Sequence, residues 1–142
     1  MMPGADPRAD APSLRVLFVE DDAMNRRVVR DMLSVAGAQM EEADRAELGL
    51  RMIGDNHYDL ILMDLRMPGM DGLTAIRQIR ARPDAKALVP IVVVTADTAV
   101  DIRADCIASG ANDVLLKPVA MQDLFDAMGR IIAGHGDRTT LI

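Results

Sequence analysis

The sequence predicts an open α/β fold, with one parallel sheet flanked by helices on both faces. Short apolar runs rich in Val, Ile and Leu recur along the chain, amphipathic segments of helical period separate them, and most of the runs end on polar residues. Strands of a parallel sheet read as continuous apolar runs because both faces are covered, and the amphipathic segments supply that cover.

The first run, Leu14–Val19, is a strand. After it Val28, Val29, Met32, Leu33 and Ala36 fall on one helical face, and Gly37 is a helix stop. Gln39–Ala43 is less apolar and suits an edge strand. Ala46, Leu50 and Ile53 mark a second helix. Leu60–Met63 is the next buried strand, followed by a third helix carrying Leu73, Ile76 and Ile79. Val89–Val94 is a further strand. The helix after it, about 98–109, is less cleanly patterned and ends before Gly110. Val114–Leu116 is a short strand, and Met121, Leu124, Phe125, Met128, Ile131 and Ile132 form the apolar stripe of the last helix. Strand and helix thus alternate five times, and right-handed crossovers place helices on both faces of the sheet. Five strands suit the flavodoxin-like order 2-1-3-4-5.

Residues 1–13 carry three prolines and little apolar matter, so they are expected to be a disordered tail. Residues 134–142 are expected to be a second tail, leaving 14–133 as one folded domain. A chain of 142 residues with 50% apolar content can bury one core of ordinary size. Its net charge of −6 argues against direct nucleic-acid or anionic-membrane binding. No apolar run approaches the roughly 20 residues that span a bilayer, and the first residues lack the apolar core of a secretory signal. With one cysteine no internal disulfide can form, which fits a cytoplasmic setting. Cys106 itself reads as a small buried hydrophobe. Methionine is abundant at 11 residues and aromatics scarce at 2%, which describes a Met-rich core. Arg26, Arg27 and Arg30 read as a solvated helix face.

In open α/β sheets the ligand site lies beyond the carboxyl ends of the strands, at the switch point between strands 1 and 3. Those ends carry Glu20-Asp21-Asp22, Asp64, Thr95-Ala96 and Lys117-Pro118. Each alone is ordinary, since a strand-end aspartate most often caps a helix or forms a turn. Four strands converging on one edge are not. Clustered carboxylates need a compensating cation or proton, and hard oxygen ligands favour Mg²⁺. A lysine and a hydroxyl opposite them suit phosphoryl oxygens, and an aspartate that attacks phosphorus forms an acyl phosphate.

The motifs VLFVEDDAMNRR, DLILMDLRMPGMDG, PIVVVTAD and GANDVLLKP, followed by the final amphipathic helix, resemble the receiver (response-regulator) domains of two-component, His-Asp phosphorelay signalling. The resemblance covers about residues 14–133. It implies that Asp64 is the phosphorylated aspartate and that Thr95 and Lys117 contact the phosphoryl group. It implies Mg²⁺ held directly by Asp21 and Asp64, through water by Glu20, and by the backbone carbonyl of Arg66. Asp22 matches the residue that starts the first helix. Pro118 matches the proline after the lysine, often preceded by a cis peptide bond. One departure stands out: the family commonly has Phe or Tyr three residues before the lysine, and here Val114 holds that switch position. A rotating aromatic therefore cannot report the state of Thr95. The resemblance implies that the residues two after Asp64 and two after Thr95, here Arg66 and Asp97, flank the approach of water to the phosphorus, and their opposite charges could pair across the mouth of the site. Ala96 between Thr95 and Asp97 is small and leaves room for a donor.

The resemblance further implies a phosphorylated regulator rather than a conventional enzyme, limited to Mg²⁺-dependent self-phosphorylation from small donors and autodephosphorylation. The implied donor is a histidine kinase or histidine phosphotransfer protein. A downstream protein is expected on the face built by helix 98–109, strand 114–116 and the last helix, and a phosphorylation-dependent homodimer is a further expected partner state. The chain reads as a stand-alone receiver or a receiver segment of a hybrid kinase, which the DDAMNRR and LVPIVVVTA stretches resemble. A dehalogenase-like phosphatase would need a second acid two residues after Asp64, where Arg66 stands. No P-loop motif is present. The remaining rival is a receiver-like interaction module that is not phosphorylated.

Overall fold

The computed structural model describes the backbone of residues 13–140 and the side chains of residues 13–133. Five parallel strands, β1 (Arg15–Val19), β2 (Gln39–Ala43), β3 (Leu60–Asp64), β4 (Ile91–Thr95) and β5 (Asp113–Leu116), form one sheet in the order β2-β1-β3-β4-β5. Between and after them run α1 (Ala23–Val35), α2 (Ala46–Asp55), α3 (Gly72–Arg80), α4 (Ile102–Ser109) and α5 (Met121–Thr140), with a 3-10 turn at Ala85–Leu88. This is the fold and strand order that the alternating pattern predicts. Among the described residues no helix is long and apolar enough to cross a membrane.

Strand alternation sends side chains to two cores. Leu17, Val19, Ile61, Met63, Ile91 and Val93 face α2, α3 and α4, where Ile53, Ile76, Ile79 and Cys106 close the layer. Val16, Phe18, Leu60, Leu62, Val92, Val94 and Leu115 face α1 and α5, against Val29, Leu33, Leu124 and Met128. Each fully buried side chain of this size stabilises the fold by about 1.5–3 kcal/mol. β3 and β4 are buried at every position because both faces are covered.

Three expectations need correction in detail. The buried stripe of α1 is narrower than its periodicity suggests: Val29 and Leu33 are buried, whereas Val28 and Ala36 are exposed. In α5 Met121 and Ile132 are exposed and Ala127 is buried in their place. Strands β3 and β4 extend one residue further than their apolar runs, so Asp64 and Thr95 are themselves the last strand residues. The tail expected over 1–13 lies outside the described residues apart from Ser13. The last helix runs to Thr140, past residue 133 where the sequence reading closes the domain.

Candidate functional site

Where β1 and β3 lie side by side, the chain leaves β1 toward β2 and leaves β3 toward β4, which opens a crevice at their carboxyl ends. A cavity of about 210 Å³ lies there, lined by Glu20, Asp21, Asp22, Asn25, Asp64, Arg66, Thr95, Ala96 and Lys117. The fold therefore brings together seven of the ten residues that the sequence singles out.

The three acids reach the crevice differently. Glu20 follows the last residue of β1 and is fully buried, while Asp21 sits exposed at the rim. Asp64 ends β3 and is buried. Its position depends on the start of α3. A Cβ on Gly72 would stand 2.3 Å from the Asp64 carbonyl oxygen, so glycine is what lets α3 begin against the strand end. Asp22 takes no free part in the cluster, because its Oδ1 caps α1 by accepting from the amides of Met24 (2.8 Å) and Asn25 (3.2 Å).

Lys117 reaches across from the end of β5. Its Nζ lies 2.7 Å from Glu20 Oε1 and 3.2 Å from Asp64 Oδ1. Burial pulls the ammonium pKa down, but the hydrogen bond to Glu20 and the charge of Asp64 outweigh it and hold the group above its ordinary value. At Asp21 residual desolvation and the neighbouring Glu20 carboxylate act together and raise its carboxyl. Thr95 is buried, and its hydroxyl oxygen accepts from the Asp97 amide at 3.0 Å, which leaves its own proton free to donate.

Carboxylate oxygens of Glu20, Asp21 and Asp64 lie within 4.8 Å of one another. Lys117 offsets one of these three charges, so two remain. An all-oxygen donor set with that surplus fits a divalent hard cation such as Mg²⁺, which typically takes one or two carboxylates and keeps several waters.

The remaining positions flank the cavity. Arg66, which lines the cavity, donates from Nη2 to Asp97 Oδ2 at 2.8 Å. The amide of Ala99 and the Arg66 guanidinium hold the Asp97 carboxyl below its usual range. Val114 is half-buried and packs against the core on the α2, α3 and α4 face of the sheet. The Lys117-Pro118 peptide bond is cis, and Pro118 itself faces outward.

Two residues of the site were not legible as such. Asn25 Nδ2 donates to Glu20 Oε1 at 3.3 Å. Arg26, read from sequence as part of a solvated face, turns inward and donates from Nη1 to the Glu20 carbonyl at 2.7 Å. Their signal was positional: both stand in the first turn after the acidic pair, on the side that folds back over it.

Residues 16–129 match the family model described as the response regulator receiver domain. The chain is 38% identical over 113 residues to hybrid signal transduction histidine kinase G of Dictyostelium discoideum, covering 78% of this chain and 3% of that protein. It is 35% identical over 119 residues to response regulator MprA of a Mycobacterium species, covering 84% of this chain and 50% of that protein. The chain thus spans half or less of the length of these curated relatives. Among solved structures, the receiver domain of a Pseudomonas aeruginosa sensor histidine kinase, described with a magnesium ion coordinated in its active site cleft, superposes with a TM-score of 0.78 at 34% identity. That match covers 86% of this chain and 99% of the other. This chain belongs to the response regulator receiver domains, the phosphoacceptor signalling modules of two-component systems.

Proposed function

We propose that Asp64 is the phosphoacceptor and that the donor is a phosphohistidine of a histidine kinase or a histidine phosphotransfer protein. The observation that carries this reading is the meeting of the buried Asp64 carboxylate with Lys117 at 3.2 Å and with two further carboxylates. A carboxylate oxygen of Asp64 attacks the phosphorus. The new P–O bond forms as the donor P–N bond breaks, and the electron pair stays on the imidazole nitrogen, which takes a proton. The product is an acyl phosphate on Asp64.

The residues around it divide the work. Lys117 donates to a phosphoryl oxygen from its place between Glu20 and Asp64, and the Thr95 hydroxyl donates to another. Asp21, Asp64 and the Arg66 carbonyl would hold Mg²⁺ directly, with Glu20 acting through water. When bound, Mg²⁺ supplies positive charge against the transferring phosphoryl oxygens. The same groups suffice for small donors such as acetyl phosphate, and water attacking the phosphorus reverses the modification. Ala96 leaves the entrance open to the donor.

The output surface in this reading is the face of α4, β5 and α5, which adjoins Thr95 and Lys117. It presents exposed Ile107 and Leu116 for a protein partner or a second copy. Val114 replaces an aromatic side chain there, so the coupling runs through packing of a smaller group. The buried free thiol of Cys106 is in keeping with a cytoplasmic setting.

The test is labelling by acetyl phosphate with Mg²⁺, read as a gain of one phosphoryl mass. The wild type is expected to label and Asp64→Asn to lose all labelling while keeping its fold. Full labelling of Asp64→Asn would move the acceptor to another residue. No labelling of either protein would favour the unphosphorylated interaction module.

A further inference from the structure

We propose that Arg26 is a positioning residue for this site: anchored by Glu42 of β2, its guanidinium fixes the main chain between β1 and α1 so that Glu20 and Asp21 present their carboxylates to the cation. The inference deepens the reading of the acidic crevice and rests on it.

Three observations support it. First, Arg26 is set apart from its neighbours. Its side chain is 16% exposed, whereas that of Arg30, one turn along α1, is 44% exposed. Second, its donors are divided between two elements. Nε donates to Glu42 Oε1 at 2.6 Å, and Nη1 donates to the Glu20 carbonyl at 2.7 Å. Third, that carbonyl lies where the sheet offers it no partner. Val19 is the last residue of β1 in register with β2 and β3, so Glu20 stands just beyond both ladders. Its amide still donates to the Ala43 carbonyl at 2.9 Å, and its side chain is fully buried. Without the guanidinium the Glu20 carbonyl, on a fully buried residue, would have no hydrogen-bond partner among the described residues.

The consequence follows from geometry more than from charge. Glu42 takes up the positive charge of Arg26, and its own carboxyl is held low, first by Arg30 and then by Arg26. What Arg26 adds at the crevice is therefore a fixed direction for the peptide that joins Glu20 to Asp21. From that fixed point the Glu20 carboxylate meets Lys117, Asn25 and the Asp22 amide, and Asp21 is held at the rim. The planar fork of arginine spans the carboxylate and the carbonyl at once. A lysine ammonium is a point charge and holds that pair of directions poorly.

The experiment is a titration with MgCl₂ of the wild type, Arg26→Gln, Arg26→Lys, Glu42→Gln and Arg30→Gln, following the amide resonances of Asp21 and Asp64. Melting temperatures are recorded alongside. Partners that orient metal ligands commonly change affinity by about 10- to 100-fold, and Arg26→Gln is expected near the lower end, about tenfold weaker. Arg26→Lys and Glu42→Gln should weaken binding less. Arg30→Gln, which touches Glu42 but not Glu20, should bind as the wild type does. The Mg²⁺ concentration for half-maximal labelling by acetyl phosphate should rise in Arg26→Gln while the rate at saturating Mg²⁺ persists. Wild-type affinity in Arg26→Gln, or an equal loss in Arg30→Gln, would overturn the proposal, the latter by pointing to a general charge effect. A lowered melting temperature with unchanged affinity would make Arg26 merely structural and would equally overturn it. If Arg26→Gln does not fold, Arg26→Lys and Glu42→Gln decide by the same comparison with Arg30→Gln. Asp21→Asn separates the two readings: Mg²⁺ shifts that survive it would sink the assignment of the crevice itself, independently of Arg26.

Discussion

Lys117 shows how one side chain is made to serve two acids. It leaves β5 just past the last strand residue and lies within reach of Glu20 and Asp64, which come from two other strands. A single positive charge among three carboxylates leaves the crevice negative, and this is what suits it to a divalent cation. Arg66 lines the same crevice and pairs with Asp97 at 2.8 Å. An exposed pair of this kind is screened by solvent, so its importance here is steric. If Asp64 is the phosphoacceptor as proposed, this pair is expected to occupy space on the side from which water approaches the phosphoryl group. Decay of phospho-Asp64 is therefore expected to be faster in Arg66→Ala, in Asp97→Ala and in the double variant than in the wild type. If the two side chains act as a unit, the effects should be non-additive, with the double variant decaying more slowly than the two single effects combined would predict. Time courses of phosphoryl loss after removal of the donor measure this, and unchanged or slower decay in all three variants would show that the pair does not gate water.

At the level of elements, the helices beside β5 are tied to it by charge. Asp113 opens the strand and is buried, with Arg103 of α4 at 3.0 Å on one oxygen and Arg130 of α5 at 2.6 Å on the other. Burial pushes the Asp113 carboxyl up, but the bonds from Arg130, from the Val114 amide and from Arg103 outweigh it and hold it below its ordinary range. An aspartate whose pKa is lower in the folded state stabilises the fold above its ordinary titration range. That stabilisation disappears as the pH falls through the folded-state value. Asp113→Asn should accordingly melt below the wild type at neutral pH. The gap should close as both are acidified past the ordinary aspartate range, around pH 4 and below. Melting curves across that range provide the check; a gap that persists in acid would assign the effect to packing. Arg80 ties α3 to the segments leading into β4 and β5, and among the described residues it has no carboxylate partner. It donates to the carbonyls of Gly110, Ala87 and Val89 and to the side chain of Asn112. Asn112 Oδ1 in turn accepts from the Ile91 amide at 2.8 Å, so one guanidinium helps set where β4 begins.

Across the whole molecule, the sheet is a middle layer whose central strands β3 and β4 are buried at every position, while the site and the proposed output face share one end of β4 and β5. Interiors packed at this density tend to respond by discrete repacking and not by smooth deformation. Phosphorylation is therefore expected to shift a balance between two packings of α4 and β5. Amide resonances of Thr95, Val114, Leu116 and residues 102–109 should move together in the phosphorylated protein. Because Val114 is smaller than an aromatic residue, the rearrangement should be modest in extent. Shifts confined to residues 64–72 would place the output elsewhere.

Much of this was open to reading from the chain alone. Strand and helix placement and the four strand-end positions follow from short-range causes, apolar runs that must be covered on both faces and helical periodicity, whereas the strand order follows from the order that five alternating βα units commonly adopt. Asp64, Thr95 and Lys117 could be named because a strand end is a property of local sequence. The direction of an amphipathic side chain is not. Val28 and Val29 carry the same residue, yet one is exposed and the other buried, because successive helix positions point about 100° apart and only the packed orientation of α1 decides which of them meets the sheet. Arg26, Arg27 and Arg30 look alike in sequence, and what separates them is an unpaired carbonyl at Glu20 and a carboxylate on β2, sixteen residues from Arg26 along the chain. An orphaned backbone group exists only once the strands have paired. Tertiary structure alone could therefore select the arginine that answers it.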